Sequence, residues 1–357
     1  MKEALGPAAF AVLDSRGMLA LVRSWPDQIR MQTESLAARP WPAGLATPGH
    51  RLLAVGALGG SAAGAELARG LHEPTLPIPF LVVREYEWPG AVGPGTLCLL
   101  SSYSGNTEET LALYDQAGKR GAARCALTSG GELSRLAERD GVPAVFLPPG
   151  LPPRAALGYS LVSLLALLHA LGFRDEGEDA VREAHQILSE GNALLAPENP
   201  ESENPAKQLA QALHGRVVIV YAAARLLTGV GLRWKGQINE NAKTPAFTNA
   251  LPELNHNESV GWEALRDVHD RFGVVCLRDA EEHPRAARQM EWTREMLAGE
   301  GLTVVEARPR GRSRLARMLS LVQLGDWVSL YLAALAGMDP TPIVKIDALK
   351  RSLEATR

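Results

Sequence analysis

The sequence predicts an α/β fold of two tandem units, each a parallel β-sheet flanked by helices in three layers. Three observations carry this. Short apolar runs of strand length alternate with helix-length segments, the pattern of parallel strands covered on both faces. The alternation stops after Pro152, gives way to helices, and restarts at Val217. The 357 residues suit two domains with full cores, at roughly 100–200 residues per domain.

The elements follow in order. Residues 19–36 have helical apolar spacing, with Pro26 as a start or kink, and the Pro/Gly-rich segment 39–50 breaks them. A first strand, 52–55, runs into Gly56-Ala-Leu-Gly-Gly-Ser61 and a small-residue helix to about Leu71. Further strands are expected at 78–83, 96–100, 122–128 and 144–147, with helices at 108–120 and up to about Arg139. Helices at 155–171 and 176–195 precede a polar, proline-bearing link at 196–205. The strand–helix theme then resumes. Strands are expected at 217–221, 272–277 and 302–305, and helices at 226–240, 284–299, 314–336 and 344–353. The resulting division is 1–157, a helical linker 158–204, and 205–357.

Composition limits the partners. There are 37 Lys+Arg against 40 Asp+Glu, a net charge of -3, with 46% hydrophobic residues. This is too apolar for disorder and lacks the basic excess of a nucleic-acid or membrane surface. A small anion needs only a local site. Cys98, Cys125 and Cys276 are odd in number and far apart, so neither a disulfide framework nor a zinc site is expected. Cys98 and Cys276 read as buried thiols of a reducing, cytoplasmic protein. Residues 1–10 lack a signal-peptide core, and the apolar stretch 159–171 is too short to span a bilayer.

Two loops stand at the carboxyl ends of expected parallel strands, where open α/β sheets bind ligands. Gly59-Gly60-Ser61 offers backbone N–H groups, a hydroxyl and a helix start. Ser102, Ser104 and Thr107 offer three hydroxyls around Gly105. Such donors suit a phosphate monoester. There is no Walker lysine and no GxGxxG, which disfavours nucleotides. A second constellation is Asn239-Glu240-Asn241-Ala-Lys243, followed by Pro252-Glu253-Leu-Asn-His256-Asn257-Glu258. A carboxylate there can move a proton beside a carbonyl, and a histidine can shuttle one between sugar oxygens. A solvated helix end and a turn would use the same residues. A second histidine at helical spacing is missing, so no metal is expected. His72, His169, His185, His214 and His283 read as structural or solvent-facing, with His169 in the core. The run Arg310, Arg312, Arg314, Arg317 reads as a solvated face or helix start.

Gly-Gly-Ser at 59–61, Ser-Tyr-Ser-Gly-Asn-Thr at 102–107, Pro-Arg-Ala-Ala-Leu-Gly-Tyr at 153–159, Asn-Glu-Asn-Ala-Lys at 239–243, Leu-Asn-His-Asn-Glu at 254–258 and the final Ile-Asp-Ala-Leu-Lys350 occur in this order. In this the chain resembles the bifunctional phosphoglucose/phosphomannose isomerases, built from two sugar-isomerase (SIS) domains, over nearly its whole length. It departs from them at Ala57-Leu58, where Gly-Met is common. The resemblance implies a metal-independent, cofactor-free aldose–ketose isomerase of glucose 6-phosphate, fructose 6-phosphate and mannose 6-phosphate. It implies that Ser61, Ser102, Ser104 and Thr107, with the Gly60 backbone, hold the phosphate. Glu240 is then the base, Arg154 stabilises the cis-enediolate, and His256 and Lys350 assist ring opening. His256 is expected from the partner of a homodimer. Lys345 competes with Lys350, whose Leu-Lys context favours it. A non-catalytic SIS sugar-phosphate sensor, or an SIS enzyme for another amino-sugar phosphate, would share the serine loops without needing Glu240, His256 and Lys350 together.

Overall fold

The computed structural model describes residues 5–45, 49–173, 176–223 and 225–354. Residues 1–4 and 355–357 of the expected outer units, and 46–48 of the Pro/Gly-rich break, lie outside the described residues.

The chain opens with three helices, α1 (Pro7–Leu13), α2 (Met18–Arg23) and α3 (Trp25–Ala38). The single helix expected at 19–36 is thus divided at Ser24. Pro26 sits in the first turn of α3, where a missing N–H breaks no helical bond. The first sheet follows: β1 (Leu52–Ala57), α4 (Gly59–His72), β2 (Phe80–Val83), β3 (Thr96–Ser101), α5 (Glu108–Lys119), β4 (Ala123–Thr128), α6 (Gly131–Asp140) and β5 (Ala144–Phe146). Its order is β2-β1-β3-β4-β5 and every pairing is parallel. All residues of β1 and β3 are buried, which is why their sequences are continuous apolar runs rather than alternating ones.

Helices α7 (Leu157–Ala170) and α8 (Gly177–Leu194) come next, then α9 (Pro205–Leu213), whose first turn is capped by the Asn204 side chain. The second sheet contains β6 (Val217–Ala222), α10 (Arg225–Gln237), β7 (Ala246–Ala250), α11 (Glu258–Gly261), β8 (Phe272–Leu277), α12 (Pro284–Gly299) and β9 (Thr303–Ala307). Its order is β7-β6-β8-β9, again all parallel. The sequence did not predict β7. It is an edge strand, only partly buried, and lacks the apolar run that marks central strands.

Helix α13 (Arg314–Leu335) lacks a polar solvent face because it is buried on nearly all sides, packing against α8, α9 and α10, and its polar side chains Arg317, Asp326 and Ser329 are buried too. Its length and hydropathy would pass for a membrane span, yet 94% of that window lies inside the fold. The chain ends in α14 (Val344–Glu354). One apolar core takes Leu53, Val55 and Leu67 from the first half and Val220, Trp234 and Trp327 from the second. All three cysteines are free and buried.

Two expectations fail here. His169 lies on the exposed face of α7, not in the core. Arg317 is buried, because its guanidinium meets the Asp279 carboxylate at 2.8 Å; the solvated run ends at Arg314.

Candidate active site

Each sheet has one position where neighbouring strands send their connections in opposite directions, leaving a crevice at the carboxyl ends. In the second sheet this lies between β6 and β8. Arg278 follows β8 there, bonded to Glu282 at 2.9 Å and to Glu306 at 2.7 Å, and Arg317 pairs with Asp279 nearby. Protein charges occupy that end. In the first sheet the crevice lies between β1 and β3, and the two expected phosphate loops follow those strands.

The loops converge. Ser61, in the first turn of α4, accepts the Tyr103 backbone N–H at 3.2 Å through its hydroxyl. The Ser102 and Thr107 hydroxyls meet at 2.8 Å, and Ser102 Oγ accepts the Gly105 N–H at 3.1 Å. Ser104 is exposed, with its Oγ accepting the Asn106 N–H. Gly105 has φ +70°, and a Cβ there would lie 1.8 Å from the Gly130 carbonyl oxygen, so glycine is required on both counts. The helix N-terminus adds partial positive charge to these neutral donors.

A cleft of about 170 Å³ opens beside this cradle, lined by Gly59, Gly60, Arg84, Arg154, Lys235 and Glu240, among others. The opposing wall exists because α10 runs antiparallel to α4: Gly70 lies against Leu226, and Gly229 against Glu66. The far end of α10 therefore meets the start of α4. There α10 widens into a π-helical turn, Ile238–Ala242, closed by Lys243 at φ 56°. The turn buries Ile238 and Asn241 and leaves Glu240 partly open.

Arg154 lies in a short 3₁₀ turn, Pro153–Ala155, before α7, and is only 3% exposed. Its Nε donates to Asn241 Oδ1 at 2.8 Å. Its Nη2 donates to the carbonyls of Pro340 at 2.7 Å and Thr341 at 2.8 Å. Its Nη1 reaches Glu240 Oε2 at 3.4 Å. A guanidinium has five N–H donors, so one on Nη1 is left without an acceptor among the described residues. Burial lowers the Arg154 pKa, Glu240 opposes that, and nearby Arg233 adds to it. Lys243 is also lowered, first by burial and then by Arg154. Its ammonium donates to the Glu240 carbonyl at 2.6 Å, so it braces the turn.

The structure brings Glu240, Arg154 and Gly60 together around the cleft and joins Ser61, Ser102 and Thr107 beside it. It does not bring in His256 or Lys350. Both are exposed, and neither lines the cleft. His256 ends the short 3₁₀ turn Glu253–His256 just before α11, and Glu258 ties that segment down by accepting from Tyr221 Oη at 2.5 Å and Asn249 Nδ2 at 2.6 Å. Sequence reasoning missed Arg84 and Lys235. Arg84 directly follows β2, so the carboxyl-end rule could have found it. Lys235 faces the cleft only because α10 crosses α4 in this sense.

A family model for the bacterial phospho-glucose isomerase C-terminal SIS domain matches residues 202–353. The bifunctional phosphoglucose/phosphomannose isomerase of Caldicellulosiruptor bescii is 45% identical over 296 residues, covering 83% of this chain and 87% of that protein. The enzyme of the same description from Aquifex aeolicus is 35% identical over 308 residues, covering 86% and 92%. A hypothetical protein of Thermus thermophilus shares the fold with a TM-score of 0.73 at 20% identity, covering 99% of this chain and 94% of that one.

Proposed function

The chain belongs to the bifunctional phosphoglucose/phosphomannose isomerase family and is an isomerase; from that premise we propose that it interconverts glucose 6-phosphate, mannose 6-phosphate and fructose 6-phosphate through a cis-enediolate, without a metal ion. The observation that carries the mechanism is the Glu240–Arg154 pair, 3.4 Å apart across the cleft beside the phosphate loops.

Ser61, Ser102, Ser104 and Thr107, with the amide of Gly60, hold the 6-phosphate. This fixes the distance from the phosphate to C1 and C2 and so selects which carbons meet Glu240. Glu240 takes the proton from C2 of the open-chain aldose and returns it to C1, while the O2 hydroxyl proton passes to O1, giving the ketose. The enediolate between them carries negative charge on oxygen. The remaining Nη1 donor of Arg154, whose side chain is itself buried, stabilises it, the role a cation would otherwise fill. Glucose 6-phosphate and mannose 6-phosphate differ at C2 alone and share one enediolate, so presenting either face to Glu240 accommodates both. His256 and Lys350 serve ring opening, as acid and base at the ring and C1 oxygens.

Both of those side chains need a second copy of the chain, or closure of α14, to reach a cleft. The apolar surface around them favours a homodimer. Phe247, Val260 and Leu265 are exposed on either side of the His256 segment, and Ile346, Leu349 and Leu353 are exposed on α14. The working units remain 1–157 and 205–357, joined by 158–204, and the three free thiols fit a reducing, cytoplasmic setting.

The test is Glu240→Gln. Turnover is expected to fall roughly a hundred- to ten-thousand-fold while fructose 6-phosphate still binds. Near-normal turnover would remove Glu240 as the base. Mixing this variant with His256→Ala should restore activity in heterodimers; failure after proven subunit exchange would place the sites within single chains.

A further inference from the structure

Arg154 is held by more than its neighbours in the cleft, and two of the holding chains trace back to one turn of α13: one ends on the Asp326 carboxylate, the other on the Asp326 backbone carbonyl through Ser329. Asp326, the one carboxylate of α13, lies in the middle of that helix and is 1% exposed. It accepts both Nε of Arg233 at 3.0 Å and Nη2 at 2.7 Å. The same Arg233 Nη2 also donates to the backbone carbonyl of Arg154 at 2.7 Å. One chain of bonds therefore runs from Asp326 through Arg233 to the main chain of Arg154.

A second chain runs to the Arg154 side chain. Ser329, one turn along α13, donates its hydroxyl to the Asp326 carbonyl at 2.6 Å. With its proton used there, Ser329 Oγ must accept, and it does so from Asn241 Nδ2 at 2.9 Å. That fixes the Asn241 amide with Oδ1 turned toward Arg154 Nε. Asn241 is fully buried and adjoins Glu240 in the π-helical turn. The two chains thus grip Arg154 at its carbonyl and its Nε from one helix, and one of them also anchors the turn that carries the base.

We propose that Asp326 and Ser329, one turn apart on α13, are the positioning residues of this site, the Asp326 carboxylate acting through Arg233 on the Arg154 main chain and the Ser329 hydroxyl acting through Asn241 on the Arg154 guanidinium. Neither touches substrate. Their effect is to set the one free Nη1 donor where enediolate charge develops, which changes transition-state stabilisation more than substrate binding. This rests on the role of Arg154 proposed above.

The experiment compares four variants of the whole chain. In Arg233→Met/Asp326→Leu the buried pair is replaced by apolar side chains, an exchange that buried ion pairs often tolerate. The expected result is a folded protein with kcat reduced at least tenfold and the KM for fructose 6-phosphate changed less than threefold. A hydroxamate analogue of the enediolate should bind more weakly in the same proportion, while inorganic phosphate binds as before. A folded double variant with kcat within twofold of normal overturns the proposal. Should the double variant not fold, Ser329→Ala decides: kcat falls at least threefold and Ser329→Thr restores it, or an unchanged kcat overturns the proposal. Arg154→Lys is run alongside. Full turnover in that variant overturns the enediolate role of Arg154 itself; its loss together with a normal double variant overturns the positioning role alone.

Discussion

A methyl group on Gly60 would meet the Pro153 carbonyl oxygen at 2.9 Å and the Arg154 nitrogen at 3.0 Å. Both are backbone atoms and cannot turn aside as a flexible side chain could. Gly60→Ala is therefore expected to push the Pro153–Ala155 turn away from the phosphate loop and lower kcat about tenfold or more, with thermal stability reduced by roughly 1–3 kcal/mol. Steady-state kinetics alongside thermal unfolding check this; unchanged turnover would show that the turn relaxes without moving Arg154. At this scale the sequence was informative where residue type and chemistry coincide. Glu240, Arg154, Ser61, Ser102 and Thr107 stand in motifs rich in donors, acceptors and proton carriers, which a turn or a solvated helix end could also use, and the structure gathers them at or beside one cleft. Asp326 and Arg233 were illegible because they act through contacts separated by 93 residues in the chain. One signal was present: a carboxylate inside an apolar helix is rarely left without a partner.

Helix α13 is capped by its own Ser313 side chain, and another helix holds the two residues that lead into it. Glu183 on α8 accepts the backbone N–H of Arg312 at 2.7 Å and of Ser313 at 2.9 Å. These backbone bonds hold its carboxyl at about 2, below the ordinary 4.5. A depressed carboxylate pKa contributes stability that is fully present above the unfolded value and is lost as pH falls through the folded one. Wild type should therefore melt above Glu183→Gln at pH 7, and the gap should close between about pH 4.5 and 2. A gap independent of pH would show that the charge does not matter to the joint. Element boundaries were legible wherever a period of two or 3.6 persisted. They were lost at the π-helical turn, where the expected regular helix 226–240 gains an extra residue per turn, and at β7, whose edge position removes the apolar run.

Across the whole molecule, the two sheets were legible because each sits between helices and so reads as buried strands alternating with helices. Their mutual placement was not, since it is decided by α13 and by the α4–α10 crossing, neither of which has a local signature. The result is a central core drawing on both halves, beside a smaller apolar cluster within each half. That core has a consequence for how the protein comes apart, and the cysteines can report it. Cys98 and Cys125 stand on adjacent strands of the first sheet, while Cys276 stands in the second. Burial pushes Cys98 and Cys276 up to about 12 and raises Cys125 as well, so the native thiols should ignore a thiol-labelling reagent at pH 8. In partly denaturing urea all three should be labelled at one shared rate, measured by mass spectrometry of the peptides. Faster labelling of Cys276 would mean that the second half opens alone. The same thiols that ruled out a disulfide framework are thus three unadded probes, two in one half and one in the other, that can time its opening.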